Sequence, residues 1–305
     1  MRMRAGIQGL LLTLASFVGL LALYQGLIWG GVLPASGGMT QWEENVIRSE
    51  RYVYDGVTGA PVVLTGSSLM ANVMGHSDWD TAVDLGMNGG TSQSGLEILR
   101  HSAHTPGVVV VELNDTISRP LDGKLLEGIF GPGIYQLRNA FSMFRTEYRP
   151  LSVLVRILAT YDNDPNAAPA DDTRPRLTAR DQQRRERAVA RAYPTMMQPL
   201  SAAEETEIRR SAVAIQQQIT DLEAQGWRVL LTDLPRDSKL ATTTREQQVR
   251  ALLQELFPSD RYRWLPEPPA RDWATRDGSH LVRADARDVA AFLREQIAVT
   301  MASAE

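Results

Sequence analysis

Residues 107–115 read Gly-Val-Val-Val-Val-Glu-Leu-Asn-Asp and contain the strongest strand signal in the chain. β-Branched side chains favour an extended backbone, and the run from Val108 to Val111 is too short for a helix. Because neither face of this run carries a polar side chain, both faces are expected to be buried, as in a parallel sheet. The polar residues that follow, up to Asp115, would then lie just beyond the carboxyl end of a central strand.

Strand and helix signals alternate on both sides of this run. Further strands are predicted at 61–64, 82–85, 228–234 and 262–265, and helices at 94–102, 152–160, 178–191, 245–257 and 283–299. Another helix is predicted to begin after Ser201, with Glu204 completing a capping box, and to end at Gly226. Strands that alternate with helices predict an α/β fold, here a three-layer α/β/α sandwich around a parallel sheet.

The amino terminus carries a long apolar segment. No charged residue lies between Ala5 and Trp42, and the most apolar part, residues 7–32, is long enough as a helix to cross a hydrocarbon layer of about 30 Å. Arg2 and Arg4 precede it, which places the amino terminus in the cytoplasm. We therefore expect a single-pass protein of a bacterial inner membrane with its folded body on the periplasmic side.

The chain is accordingly divided into an anchor at 1–33, a connector at 34–59 and a folded domain at 60–305. An irregular insertion at about 117–200 interrupts the domain, and its polar, proline-containing part lies at 162–175. The alternative to the anchor is a long signal peptide cut near residues 35–37. Both interpretations export the domain, so the choice does not change where its chemistry takes place.

Composition excludes several classes of function. The chain has no cysteine, which excludes disulfides, thiol catalysis and cysteine metal sites. Its net charge of −4 gives no general attraction for nucleic acid. The arginine-rich stretch at 174–191 is interleaved with acidic residues, as on a solvated helix face. No two histidines share a helix face with a carboxylate at ligand spacing, so neither a metal nor another cofactor is expected.

Four polar motifs lie where the working residues of a parallel sheet gather, beyond the strand ends or before the last helix. They are Gly66-Ser67-Ser68-Leu69, the glycine-rich run at 86–91, Glu112-Leu113-Asn114-Asp115 and Asp277-Gly278-Ser279-His280. Each motif alone is typical of an ordinary turn or helix cap. The ordered set is more specific than any one of its members.

Together the motifs contain the groups that acyl chemistry needs. A serine is a weak nucleophile until a base takes its proton, and the base needs an acceptor that holds its tautomer. Asp277 and His280, three residues apart, provide such a pair for Ser68. The backbone N–H groups of Ser68 and Gly89 and the side-chain amide of Asn114 would supply three donors to an oxyanion.

This order of residues resembles the SGNH, or GDSL-like, hydrolases. Ser68, Gly89, Asn114 and His280 occur in the sequence that names the family, and Asp277 occupies its Asp-x-x-His position. The resemblance covers residues 60–116 and 226–300, and it implies a flavodoxin-like parallel sheet. It also implies that Ser68 is the nucleophile, with Asp277 and His280 as its activating pair and with Ser68, Gly89 and Asn114 as the oxyanion hole.

The chain departs from the family pattern at two positions. Its first motif reads Gly-Ser-Ser-Leu where the family has Gly-Asp-Ser-Leu, as in membrane-anchored members that act in envelope acylation. Glu112 stands where the family usually has glycine, and it is interpreted as a packing or a substrate contact. Ser67 is the alternative nucleophile and His76 the alternative base.

An SGNH domain on a single membrane span resembles the accessory proteins that work beside membrane-bound O-acyltransferases. Those proteins acetylate alginate or cellulose, or pass D-alanine to teichoic acids. The resemblance implies acyl transfer, usually of acetyl, to an exported cell-envelope polysaccharide, in a complex with a membrane-bound O-acyltransferase and a polysaccharide synthase. Two alternatives stay open: a periplasmic carbohydrate or lipid esterase that needs no partner, and a non-catalytic scaffold of such a complex.

Overall fold

The computed structural model describes residues 2–56, 61–162 and 177–303. Its four strands in this part of the chain are β1 (Val62–Gly66), β2 (Ala82–Gly86), β3 (Val108–Glu112) and β4 (Arg228–Thr232). They form one parallel sheet in the order β2-β1-β3-β4. The predicted α/β class and parallel sheet are confirmed, and the valine run lies in a central strand.

The helices in chain order are α1 (Arg2–Trp29), α2 (Gln41–Asp55), α3 (Ser68–Gly75), α4 (Ser92–His101), α5 (Gly123–Phe130), α6 (Ile134–Ala140), α7 (Pro150–Asp162), α8 (Ala179–Met196), α9 (Ala202–Ala224), α10 (Ser238–Ala241), α11 (Thr244–Leu256) and α12 (Arg283–Ala302). The capping box predicted at Ser201 and Glu204 is present. The strand predicted at 262–265 is instead a single parallel bridge between Leu231 and Trp264. The polar stretch predicted at 162–175 lies, apart from its first residue, outside the described residues.

The sheet is buried on both faces. Along β3, Val109 and Val111 belong to one hydrophobic cluster, which includes side chains of α2, α4 and α9. Val108 and Val110 belong to a second cluster, which includes side chains of α3 and α12. Successive side chains of a strand point to opposite faces, so a run of four valines supplies apolar contacts to both. Full burial of each side chain contributes about 1.5–3 kcal/mol, which explains why this strand has no polar face.

The apolar segment at the amino terminus forms the single long helix α1. Its part from Ile7 to Trp29 is long and apolar enough to cross a membrane. Most of its large side chains are exposed, including Leu10, Leu12 and Phe17. Exposed apolar side chains along a whole helix are typical of a segment that meets lipid.

Helix α2 lies within the predicted connector but packs into the domain. Val46 and Tyr52 are part of the hydrophobic cluster beside the sheet. The side chain of Asn45 donates to the backbone carbonyl of Asn88 over 3.0 Å and accepts from its N–H over 2.8 Å. Arg48 donates to the carbonyl of Gly86 and pairs with Asp84. The connector therefore braces the segment that follows β2.

We expect Val46→Ala to lower the free energy of unfolding by about 2 kcal/mol, because it leaves a cavity between α2 and the sheet. The matched control is Val213→Ala on α9, where the same atoms are removed from an exposed side chain, with an expected change within about 0.5 kcal/mol. Urea unfolding followed by circular dichroism measures both. Equal changes would show that α2 contributes no core packing.

Candidate active site

The turn from β1 into α3 separates the roles of the two neighbouring serines. Ser67 is the N-cap of α3, and its hydroxyl accepts a hydrogen bond from the N–H of Leu69 over 3.1 Å. Its side chain is buried. Ser68 is the first residue of α3 and is half-buried, which leaves its hydroxyl facing the opposite loop. The cap thus engages Ser67 and leaves Ser68 accessible.

The loop before α12 brings Asp277 and His280 together. The backbone N–H groups of Ser279 and His280 donate to Oδ1 of Asp277 over 3.0 and 2.9 Å. The N–H of Arg276 donates to the carbonyl of His280. Gly278 has φ of 95°, a conformation that favours glycine, and it lets the chain turn back between the two functional residues.

A continuous chain of hydrogen bonds links the three residues predicted to be catalytic. Nδ1 of His280 lies 2.7 Å from Oδ2 of Asp277, and Nε2 of His280 lies 2.9 Å from Oγ of Ser68. Since the carboxylate of Asp277 can only accept, Nδ1 carries the proton, and Nε2 is left to accept from the hydroxyl of Ser68. This is the arrangement that a general base and its nucleophile require.

The alternative base lies elsewhere. Nε2 of His76 is 3.4 Å from the guanidinium of Arg276, and the backbone carbonyl of His76 accepts from Arg287. The structure therefore brings His280, and not His76, to the hydroxyl of Ser68. In the sequence, His280 is predicted as the base because Asp277 lies three residues before it. In the structure the carboxylate of Asp277 orients the ring of His280.

Asp277 is held in its ionised form. Burial raises the pKa of its carboxyl, but the hydrogen bonds from the ring and backbone of His280 and from the backbone of Ser279 outweigh burial. The pKa of Asp277 consequently falls below its ordinary value. An ionised carboxylate is what fixes the tautomer of the histidine and stabilises an imidazolium that forms beside it.

Gly89 and Asn114 lie beyond the same edge of the sheet as Ser68. Gly66 and Gly86 are register partners at the ends of β1 and β2, and the end of β3 adjoins that of β1. Gly89 has φ of 69°, so a residue with a Cβ would be strained there. Oδ1 of Asn114 accepts from the N–H and the hydroxyl of Thr116. These contacts fix the amide so that its Nδ2 faces the strand ends.

Glu112 lies inside the candidate active site, but its side chain is not exposed to a substrate. Its side chain is buried, and its carboxylate accepts from the N–H of Ser67 over 2.8 Å, from the hydroxyl of Ser67 over 3.1 Å and from the N–H of Met70 over 3.3 Å. It also accepts one N–H of the Asn114 amide. Of the two interpretations of Glu112, the structure supports a packing contact. The amide of Asn114 has a second N–H besides the one that Glu112 accepts.

Glycine is required at position 66 because the Glu112 side chain crosses the end of β1. A Cβ at Gly66 would lie 2.7 Å from the Cβ atoms of both Glu112 and Met70. Burial raises the pKa of Glu112, while the N–H groups and the hydroxyl that it binds oppose that rise. The sequence signal for this contact is an acidic residue directly after a run of valines, but its partners Ser67 and Met70 lie 42 to 45 positions away.

A surface cleft of about 590 Å³ opens beside Gly89. The indole of Trp42 from α2, the side chain of Asn88, and the cationic side chains of Arg119 and Lys124 line it. Trp42 is exposed, so a flat aromatic face is available to a ligand. The connector and the start of the insertion thus form the two walls of the cleft next to the predicted oxyanion hole.

Comparison with known proteins identifies no relative: no family model matches the chain, and the search of curated proteins gave no match. The resemblance to the SGNH hydrolases therefore stays a prediction, supported by motif order and by the geometry around Ser68.

We expect Glu112→Gln to lower the free energy of unfolding by about 1–3 kcal/mol. An amide replaces one of the two acceptor oxygens with a donor, so a buried N–H or hydroxyl at Ser67 or Asn114 loses its partner. The control is Glu127→Gln, which makes the same change at an exposed position of α5. If denaturant unfolding gives the same value for both variants, the hydrogen bonds of Glu112 do not stabilise the fold.

We also expect a pH signature from Asp277. Because its pKa is lowered in the folded chain, its contribution to stability is complete above its unfolded value of about 4 and is lost as the pH falls below that value. The unfolding midpoint of wild type should therefore exceed that of Asp277→Asn at pH 6, and the difference should shrink toward pH 2.5. Asp260→Asn, at an exposed position, is the control. A pH-independent difference would contradict this assignment.

Proposed function

We propose that this chain is a serine-dependent acyl-transfer enzyme of the SGNH type. The observation that carries the proposal is the chain of hydrogen bonds from Asp277 through His280 to the hydroxyl of Ser68. We further propose that the sheet and its helices form the three-layer α/β/α sandwich of that family. The helices found on both faces of the sheet support this arrangement.

The proposed reaction has two half-reactions. In the first, Nε2 of His280 takes the proton of the Ser68 hydroxyl while Oγ attacks an ester carbonyl. The oxyanion is bound by the N–H groups of Ser68 and Gly89 and by the second N–H of the Asn114 amide. Collapse of this intermediate breaks the bond to the leaving oxygen, which receives the proton from His280. The product is an acyl ester on Ser68.

In the second half-reaction, an acceptor hydroxyl loses its proton to His280 and attacks the acyl carbonyl, and Oγ of Ser68 leaves and regains the proton. We propose that the acceptor is an exported cell-envelope polysaccharide and that the acyl group is acetyl. The cleft beside Gly89 supports a sugar acceptor, because the exposed face of Trp42 suits stacking and Asn88 offers polar contacts. The donor would be a membrane-bound O-acyltransferase working beside a polysaccharide synthase.

The apolar helix α1 is proposed to anchor the chain in the inner membrane with the domain in the periplasm. Its length and composition support a span, and the arginines that precede it favour a cytoplasmic amino terminus. This location would place Ser68 on the side of the membrane where exported polysaccharide emerges.

We expect Ser68→Ala to abolish labelling by a fluorophosphonate probe and to lower acyl transfer by roughly 10³-fold or more, because the nucleophile is gone. The readouts are the labelled peptide, identified by mass spectrometry, and the acetyl content of the envelope glycan in cells. The control is Ser303→Ala at the exposed end of α12. Labelling of Ser67, or none of the wild type, would contradict the proposed nucleophile.

Glycan acetylation measured in the same cells distinguishes a transferase from a scaffold. A transferase predicts that Ser68→Ala matches deletion of the gene, whereas a scaffold predicts normal acetylation with Ser68→Ala and none after deletion. Trp42→Ala should keep the probe reaction and lower glycan acetylation if the cleft holds the acceptor. A purified chain that hydrolyses acetylated glycan without a partner would indicate the esterase instead.

A further inference from the structure

The last turn of α1 docks onto the domain. Gln25 and Ile28 are buried, whereas most of the large side chains before them are exposed. The hydroxyl of Tyr24 donates to the carbonyl of Tyr148 over 2.7 Å, and Oε1 of Gln25 accepts from the N–H of Met143 over 3.0 Å. The contacts of α1 with the domain thus involve the segment between α6 and α7.

The position of this contact along α1 determines how far the domain would lie from the membrane. From Ile7, where the apolar part begins, to the residue before Tyr24 the helix is about 26 Å long at its usual rise, close to the thickness of a hydrocarbon layer of about 30 Å. The docked turn therefore lies near the end of the part of α1 that would lie in the hydrocarbon. Ser36 continues the contact beyond the helix, since its N–H and hydroxyl both donate to the carbonyl of Glu147.

Helix α7 starts directly after this contact and presents an apolar stripe outward. Its side chains at intervals of three and four residues are exposed large hydrophobics, and Leu151 is 64% exposed. On the opposite side Ser152 and Val153 are buried. An amphipathic helix normally turns its apolar stripe toward the core. Here the stripe faces away from the domain, and the segment before α7 also carries two exposed aromatic rings.

We propose that this surface rests on the outer leaflet of the membrane. The interfacial surface comprises Phe141, Phe144, Leu151, Leu154, Val155 and Leu158. It is continuous in sequence with the segment that contacts the end of α1, through Met143 and Tyr148. Aromatic rings followed by leucines suit the boundary between headgroups and acyl chains. The proposal rests on the proposed anchoring by α1.

A second contact with the bilayer has a mechanical consequence. A single membrane helix leaves a domain free to tilt about its attachment, whereas a helix and an adjoining apolar surface together define a plane. The domain then holds one orientation, with Ser68 at a fixed height above the leaflet. An acyl donor within the same membrane would meet the serine without a search over orientations.

The absence of cysteine from the sequence makes the test direct. Three single-cysteine variants of the full chain each carry one nitroxide label: Leu154→Cys, Leu12→Cys and Val213→Cys. Each labelled chain is placed in phosphatidylethanolamine–phosphatidylglycerol vesicles. Leu12 reports on α1, and Val213 is as exposed as Leu151 but lies on α9. Electron paramagnetic resonance measures collision rates of each label with oxygen, which enriches in lipid, and with a water-soluble nickel chelate.

We expect the ratio of oxygen to nickel collisions at Leu154→Cys to exceed that at Val213→Cys several-fold and to approach that at Leu12→Cys. An aqueous ratio at Leu154→Cys with a lipid ratio at Leu12→Cys would overturn the proposal and leave the anchor intact. An aqueous ratio at Leu12→Cys would overturn the anchor as well. Low collision rates with both reagents at Leu154→Cys would indicate a protein partner or second copy on this surface and would likewise overturn it.

Discussion

The carboxylate of Glu112 joins the ends of β1 and β3, and the arrangement of the candidate site depends on it. On one side it binds the N–H and hydroxyl of Ser67, and on the other the amide of Asn114. A buried carboxylate is costly unless its oxygens are hydrogen-bonded. The hydrogen bonds from these donors offset part of that cost, and they also fix the start of α3. Glu112 thus positions Ser68 indirectly, by binding the neighbouring residue Ser67.

A second brace acts on the segment after β2. Asn45 and Arg48 of α2 bind the backbone at Asn88 and Gly86, immediately before Gly89. An oxyanion hole works only if its donors are fixed before the charge develops. Two separate sets of contacts therefore hold the candidate site: Glu112 of β3 binds the turn before Ser68, and α2 binds the segment before Gly89. Since α2 follows α1 in the chain, the candidate site and the proposed membrane attachment are connected through one short segment.

The sequence allowed the sheet and the Asp277–His280 pair to be predicted because both are local signals. Four valines in a row require two buried faces, and an acid three residues before a histidine can meet it on one turn. Long-range contacts were not predictable in this way. Glu50 of α2 is buried against Arg138 and Thr146, about 90 residues away, so a segment that looked like a charged connector is part of the core. The contact between α1 and the segment before α7 likewise joins residues more than 100 positions apart.

The same reasoning changes the meaning of the two departures from the SGNH pattern. Taken separately, serine at position 67 and glutamate at position 112 each weaken the resemblance. In the structure the two side chains are hydrogen-bonded partners, with both carboxylate oxygens 3.1 Å from the Ser67 hydroxyl. Compared with the SGNH pattern, the first motif has no acidic group, and the acidic group at the end of the neighbouring strand reaches the same turn. Gly66 leaves the space that this longer side chain needs. The two departures from the pattern are therefore parts of one contact that holds the turn before Ser68.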